Sequence, residues 1–134
     1  MKSATLALAL TLAACGPDAR PACEEVHAAM QRASDAAETG DYDAFLVAYD
    51  EALPLFGPVR DALYDAGKLD REDIGYPMTA AGEAWMLHHS VVGLLASRTV
   101  ADSSGQALFT QSIEQRVPAL DSTLAATAVE CESL

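Results

Sequence analysis

The chain has 134 residues, of which 51% are apolar, and its 20 acidic and 8 basic residues give a net charge of −12. This length and apolar content suit one folded domain with a core of moderate size and argue against disorder. So acidic a surface repels phosphate backbones and anionic headgroups, which disfavours nucleic-acid binding and electrostatic docking on a membrane.

Residues 1–14 are typical of a targeting segment. Lys2 precedes an apolar run that ends at Ala14 and is shorter than the ~20 residues of a membrane-spanning helix. The four residues Leu12-Ala13-Ala14-Cys15 then resemble the lipobox of bacterial lipoprotein precursors. The resemblance implies that the Cys15 sulfur receives a diacylglyceryl group and that residues 1–14 are removed as a signal peptide. An ordinary secretory signal and an uncleaved amino-terminal anchor are the alternatives.

A lipid on Cys15 is a sufficient membrane anchor. Each buried methylene contributes about 0.8 kcal/mol, so two or more acyl chains hold a protein stably without a basic patch. The mature chain has 7 basic and 20 acidic residues, a net charge of −13, and therefore relies on the lipid alone. We expect residues 15–22 to form a short lipidated tether on the extracytoplasmic face of the cell membrane. Gly16 after the cysteine favours the outer membrane if the host has two.

Beyond the tether, apolar residues recur at spacings of three and four, which predicts helices and no strands. Proline is favoured at the first helical position and glycine just past the last, so the first helix is expected between Pro21 and Gly40. The second is expected to start near Asp41 and to be broken at Pro54–Pro58. A short continuation of it follows the break.

The third helix is predicted to start at Thr79 and to end near Ala101. Because it has no acidic or basic residue from Ala84 to Ser97 apart from two histidines, we expect it to be the buried helix. The fourth helix is predicted to start with Ser103 as its cap and to be kinked or broken at Pro118.

These segments predict an all-α, up-down four-helix bundle, a single domain of residues 23–134. In this topology the start of the first helix and the end of the fourth lie at the same end of the bundle. Cys23 and Cys131 occupy those two positions, each on the apolar stripe of its helix. Since an exported chain meets an oxidising compartment, we predict a Cys23–Cys131 disulfide, with two buried free thiols as the alternative.

The histidines introduce a second functional class. Cys23 and His27 are four residues apart and, with Cys131, make up the ligand types of a mixed cysteine and histidine metal site. A metal-binding bundle is therefore the alternative function, although a disulfide would use both thiols, and we expect no metal or other cofactor. His88 lies on the apolar stripe of the third helix, where a buried histidine with a satisfied partner is expected rather than a ligand.

The stretch GDYDAFLVAYDEAL, from Gly40 to Leu53, looks like the second helix of a tetratricopeptide repeat. Phe45 occupies the small-residue position of that pattern, Gly57 stands where its proline would be, and no copy recurs 34 residues away. The resemblance implies a helical hairpin and leaves a peptide-binding role open.

No signature of catalysis accompanies these helices. A glycine-rich phosphate loop, a nucleophile-elbow serine, a His-Glu-x-x-His pair and a Cys-x-x-Cys pair are all missing from the sequence. We therefore expect a binding or structural module that is not an enzyme, with an unidentified protein partner. The irregular segment 67–78 is the predicted contact region, with a plain connection between helices as the alternative. Its candidate contact residues are Ile74, Tyr76, Pro77 and Met78.

Overall fold

The computed structural model describes residues 19–69 and 79–134, and these residues form four helices. The helices are α1 (Ala19–Glu38), α2 (Tyr42–Asp65), α3 (Thr79–Thr99) and α4 (Ser103–Glu132). The predicted all-α four-helix bundle is confirmed.

The helices run alternately up and down. Cys23 of α1 bonds to Cys131 of α4, whereas Ser34, further along α1, contacts Asp121, earlier in α4. Contacts that move in opposite directions along two helices show that α1 and α4 are antiparallel. Close packing joins α1 to α2, α3 to α4 and α1 to α4, while α2 and α3 approach each other only sparsely. The bundle is therefore two hairpins joined along α1 and α4.

One apolar core holds the two hairpins together. Each helix contributes large side chains that are almost completely buried, and this burial supplies the main stabilising free energy. The largest are Met30 of α1, Phe45 of α2, Leu87 and Leu94 of α3, and Leu120 of α4.

Two tight turns of the same design form one end of the bundle. Gly40 between α1 and α2 has a φ of 76°, and Ala101 between α3 and α4 has a φ of 55°. An aspartate follows each of them and caps the next helix, Asp41 by accepting a hydrogen bond from the Ala44 amide and Asp102 by accepting one from the Gly105 amide. The cap of α4 is therefore Asp102, one residue before the predicted Ser103.

The break predicted at Pro54–Pro58 is wrong, because α2 is continuous from Tyr42 to Asp65. Each proline removes one backbone hydrogen bond. Buried side chains on both sides of the lost bonds, among them Ala52, Phe56 and Val59, keep the segment packed against the core as a helix. For the same reason α4 passes Pro118 without a break, between the buried Val117 and Leu120.

Two further differences concern helix limits and burial. α1 begins at Ala19, so its first turn occupies the last residues of the predicted tether, and Pro21 is tolerated there because first-turn amides have no intrahelical partner.

α3 is not buried on all of its faces. Leu87 and Leu94 are buried, but Trp85 and Val92 lie on the exposed side, 36% and 44% accessible.

Candidate functional site

The start of α1 and the end of α4 meet at one end of the bundle, which we call the tether end. The disulfide between Cys23 and Cys131 lies there, as predicted from the sequence, with both residues buried. Leu69, just beyond α2, lines the same small surface depression as Val129 near the end of α4. The predicted lipidation residue, Cys15, lies outside the described residues. The chain therefore enters the described fold at the tether end.

A small pocket of about 160 Å³ lies beside the disulfide, lined by Glu24, His27, Cys131 and Glu132. The sequence had suggested Cys23, His27 and Cys131 as metal ligands. Because the two sulfurs are bonded to each other, neither is a thiolate that binds a metal. Within residues 19–69 and 79–134 no group of three histidine, cysteine, aspartate or glutamate side chains is placed to hold a metal ion.

Aromatic rings fill the space between α2 and α3. The imidazole of His88 stacks on the ring of Tyr49, with centroids 4.3 Å apart and planes inclined by 20°, and the Phe45 ring lies 6.5 Å away. On the outer side of α3, His89 packs at 4.4 Å against Trp85. The rings of His88, Tyr49 and Phe45 thus connect α3 to α2, two helices whose backbones approach each other only sparsely.

His88 responds to pH through its surroundings. Burial lowers the pKa of His88 below the usual 6.5, an effect that Asp50 opposes and His89 reinforces. A lowered pKa means that the unfolded chain binds a proton more readily than the fold does. The contribution of neutral His88 to the stability of the fold is therefore fully present above pH 6.5. This contribution is lost as the pH falls through the lowered pKa that His88 has in the folded protein.

The end opposite the tether end, which we call the distal end, has a larger depression than either of the two at the tether end. We call it the distal cleft. It lies between the α1–α2 turn and the first half of α4 and has a volume of about 490 Å³. Both apolar and polar side chains line it. Its lining includes Ala37, Glu38, Tyr42, Thr110, Ile113, Glu114, Val117 and Pro118.

Two features position the walls of the distal cleft. The guanidinium of Arg98, in the last turn of α3, lies 5.5 Å above the Tyr42 ring and supports this ring at the start of α2. On the opposite wall, Ile113 and Val117 are buried in the core and fix the face that α4 presents. The cleft is thus built from three of the four helices and supported by the fourth.

Carboxylates crowd one edge of this cleft. The fully buried Ser34 hydroxyl donates a hydrogen bond of 2.5 Å to Asp121 of α4, and the same aspartate interacts with Glu38 of α1. A hydrogen bond with Asp121 and repulsion from its charge raise the pKa of Glu38, with a smaller contribution from Asp35. Two carboxyl groups this close to each other favour holding a proton between them.

Sequence reasoning missed this cleft. Glu38 and Asp121 are 83 positions apart, and no spacing along the chain connects them. The contact region that was predicted instead, Ile74 to Met78, lies outside the described residues.

The comparisons with known proteins add no relative. No protein-family model matches this sequence, and searches of curated proteins and of solved structures give no significant match. Among the described residues, no helix combines the length and the apolar character needed to span a membrane.

Proposed function

We propose that this chain is a lipid-anchored protein of the extracytoplasmic membrane surface that acts as a helical binding or structural module. The observation that carries the proposal is the stretch Leu12-Ala13-Ala14-Cys15 after a short apolar run. The disulfide between Cys23 and Cys131 supports it, because such bonds persist in exported proteins and are rare in the reducing cytosol. An acidic surface and the lack of a catalytic signature support binding over catalysis.

This proposal predicts how the protein would stand on a membrane. An anchor at Cys15 precedes α1, so it would bring the tether end towards the lipid. Glu38 lies fifteen residues beyond Cys23 on α1, and a rise of 1.5 Å per residue places it about 22 Å further from the membrane if the helix stands upright. The distal cleft would then face away from the bilayer, where a partner can reach it.

Mass spectrometry of the protein extracted from its native membranes tests the anchor. We expect a chain that begins at Cys15 and has the added mass of a diacylglyceryl group, and we expect Cys15→Ser to keep the leader and to lack the lipid. Cys23→Ser is the matched control, because it removes a cysteine and leaves the lipidation position intact. An intact Met1 or an unmodified Cys15 thiol in the unaltered protein would refute the proposal.

Metal analysis of the same preparation addresses the alternative function. Stoichiometric zinc or iron would favour the metal-binding bundle, and thiol titration under denaturing, unreduced conditions would then show whether Cys23 and Cys131 are free. We expect neither residue to titrate as a free thiol, because they bond to each other in the fold.

A further inference from the structure

We propose that the distal cleft binds a lysine- or arginine-containing segment of a partner protein. This inference rests on the proposed binding role and not on the lipid anchor, so each can fail without the other.

The charge of the cleft selects a cationic occupant. Glu38 and Glu114 line it, and Asp121 lies next to Glu38 at its edge. In the part of the chain that the structure describes, four arginines form ion pairs with carboxylates that do not line the cleft, Arg20 with Glu24, Arg32 with Glu51, Arg60 with Asp61 and Arg116 with Glu83. The guanidinium of Arg98 lies over the Tyr42 ring. Glu38 and Glu114 are exposed to solvent, and the like charge of Asp121 lies close to Glu38. A cation from outside would relieve this repulsion.

The shape of the cleft favours a side chain with an apolar stem over a bare ion. The described residues include no group of three side chains placed to hold a metal ion, and the cleft lining adds the half-buried Tyr42 ring and the exposed Pro118 to its two glutamates. Lysine and arginine bury their methylene stems on apolar surface while their charged ends reach carboxylates. A volume of about 490 Å³ accommodates several such side chains in an extended segment.

The negative charge of the whole chain acts in the same direction. A net charge of −12 attracts basic partners over a distance of about one Debye length and raises their rate of association. It also disfavours the other large classes of ligand, because nucleic acids and anionic lipid surfaces are repelled. A basic protein segment matches both the charge and the shape of the cleft.

Fluorescence anisotropy with a labelled peptide tests this assignment. The probe is an eight-residue peptide of alternating lysine and alanine, with a glutamate and alanine peptide as its negative control. The lipidated protein is used in mild detergent at roughly 0.15 M ionic strength, where long-range attraction is screened. We expect saturable binding of the lysine peptide and none of the glutamate peptide.

Paired variants distinguish the cleft from the general surface charge. The double variant Glu38→Gln and Glu114→Gln should weaken binding about tenfold, whereas Glu25→Gln with Asp65→Asn should change it less than twofold. Both pairs remove two negative charges, and the control residues are exposed on α1 and α2 away from the cleft. Equal losses in the two variants, or no binding by the unaltered protein, would overturn the proposal.

A third variant tests the position of the peptide without altering charge. Thr110 is an exposed residue of the cleft wall, so Thr110→Trp should obstruct the site and reduce affinity while the fold stays intact. Circular dichroism confirms the fold of each variant. If Thr110→Trp binds the lysine peptide as tightly as the unaltered protein does, the peptide lies elsewhere and the assignment is wrong.

Discussion

Removal of the Cys23–Cys131 disulfide tests what holds the two ends of the chain together. The bond joins residues 108 positions apart, almost the whole of the folded domain. Closing a loop of this length in the unfolded chain lowers its entropy by the equivalent of about 4–5 kcal/mol, and measured effects are commonly about 2–4 kcal/mol. Because domains of this kind are stable by only about 5–15 kcal/mol, we expect Cys23→Ala with Cys131→Ala to leave a marginal fold.

Urea unfolding followed by circular dichroism measures this effect. The double variant and the chemically reduced protein should lose similar amounts of unfolding free energy, because both lack the cross-link. Val26→Ala is the matched control. It opens a cavity one turn from Cys23 without altering any covalent link and should cost about 2 kcal/mol. Hydrogen exchange should accelerate first in the first turns of α1 and the last turns of α4.

Unfolding of the double variant at the same urea concentration as the unaltered protein would refute a stabilising effect of the cross-link. That result would mean that residual contacts in the unfolded ensemble already keep the two ends of the chain together, so that the cross-link adds no further restriction. Exchange rates that rose evenly over all four helices would also contradict the prediction, because the bond then would not act at the tether end.

Three other substitutions test the charges and the packing of the bundle. Glu38→Gln should raise the thermal midpoint of unfolding at pH 7, because the raised pKa of Glu38 near Asp121 means that its charged form is unfavourable in the fold. The increase in the midpoint should become smaller as the pH falls and Glu38 is protonated. An increase that does not depend on pH would contradict this prediction. His88→Gln should make the free energy of unfolding less sensitive to acidification below pH 6.5, because the pKa of His88 is lowered in the fold. In the unaltered protein, NMR should show that the His88 ring titrates with a midpoint below pH 6.5. A midpoint above that value would refute the lowered pKa. Gly93→Ala should destabilise the fold by about 1–3 kcal/mol in thermal or urea unfolding, because a Cβ at this position collides with the Phe109 ring. Adding Phe109→Leu should restore part of the lost stability. If Gly93→Ala costs no stability, the ring moves aside freely and the prediction is wrong.

The helices could be predicted from the sequence because their signals are local. The three- and four-residue spacing of apolar side chains locates each helix, and Gly40 and Gly67 end two of them with positive φ values that glycine adopts without strain. The pairing of Cys23 with Cys131 followed from the number of helices and their alternate directions. Neither the positions of the helices nor this pairing of cysteines depends on knowing the distance between two helices.

Tertiary packing decided the features that depend on neighbouring helices. Local rules place a break at Pro54–Pro58, yet burial of Phe56 and Val59 keeps α2 continuous, because apolar contacts offset the lost hydrogen bonds. The distal cleft and its carboxyl pair likewise arise only when α1 and α4 lie side by side. The sequence alone thus determined the helical class and the cross-link, and the anchor at Cys15 stays a prediction. Packing decided the position of the distal cleft and of the carboxylates at its edge, because both depend on distances in space and not on distances along the chain.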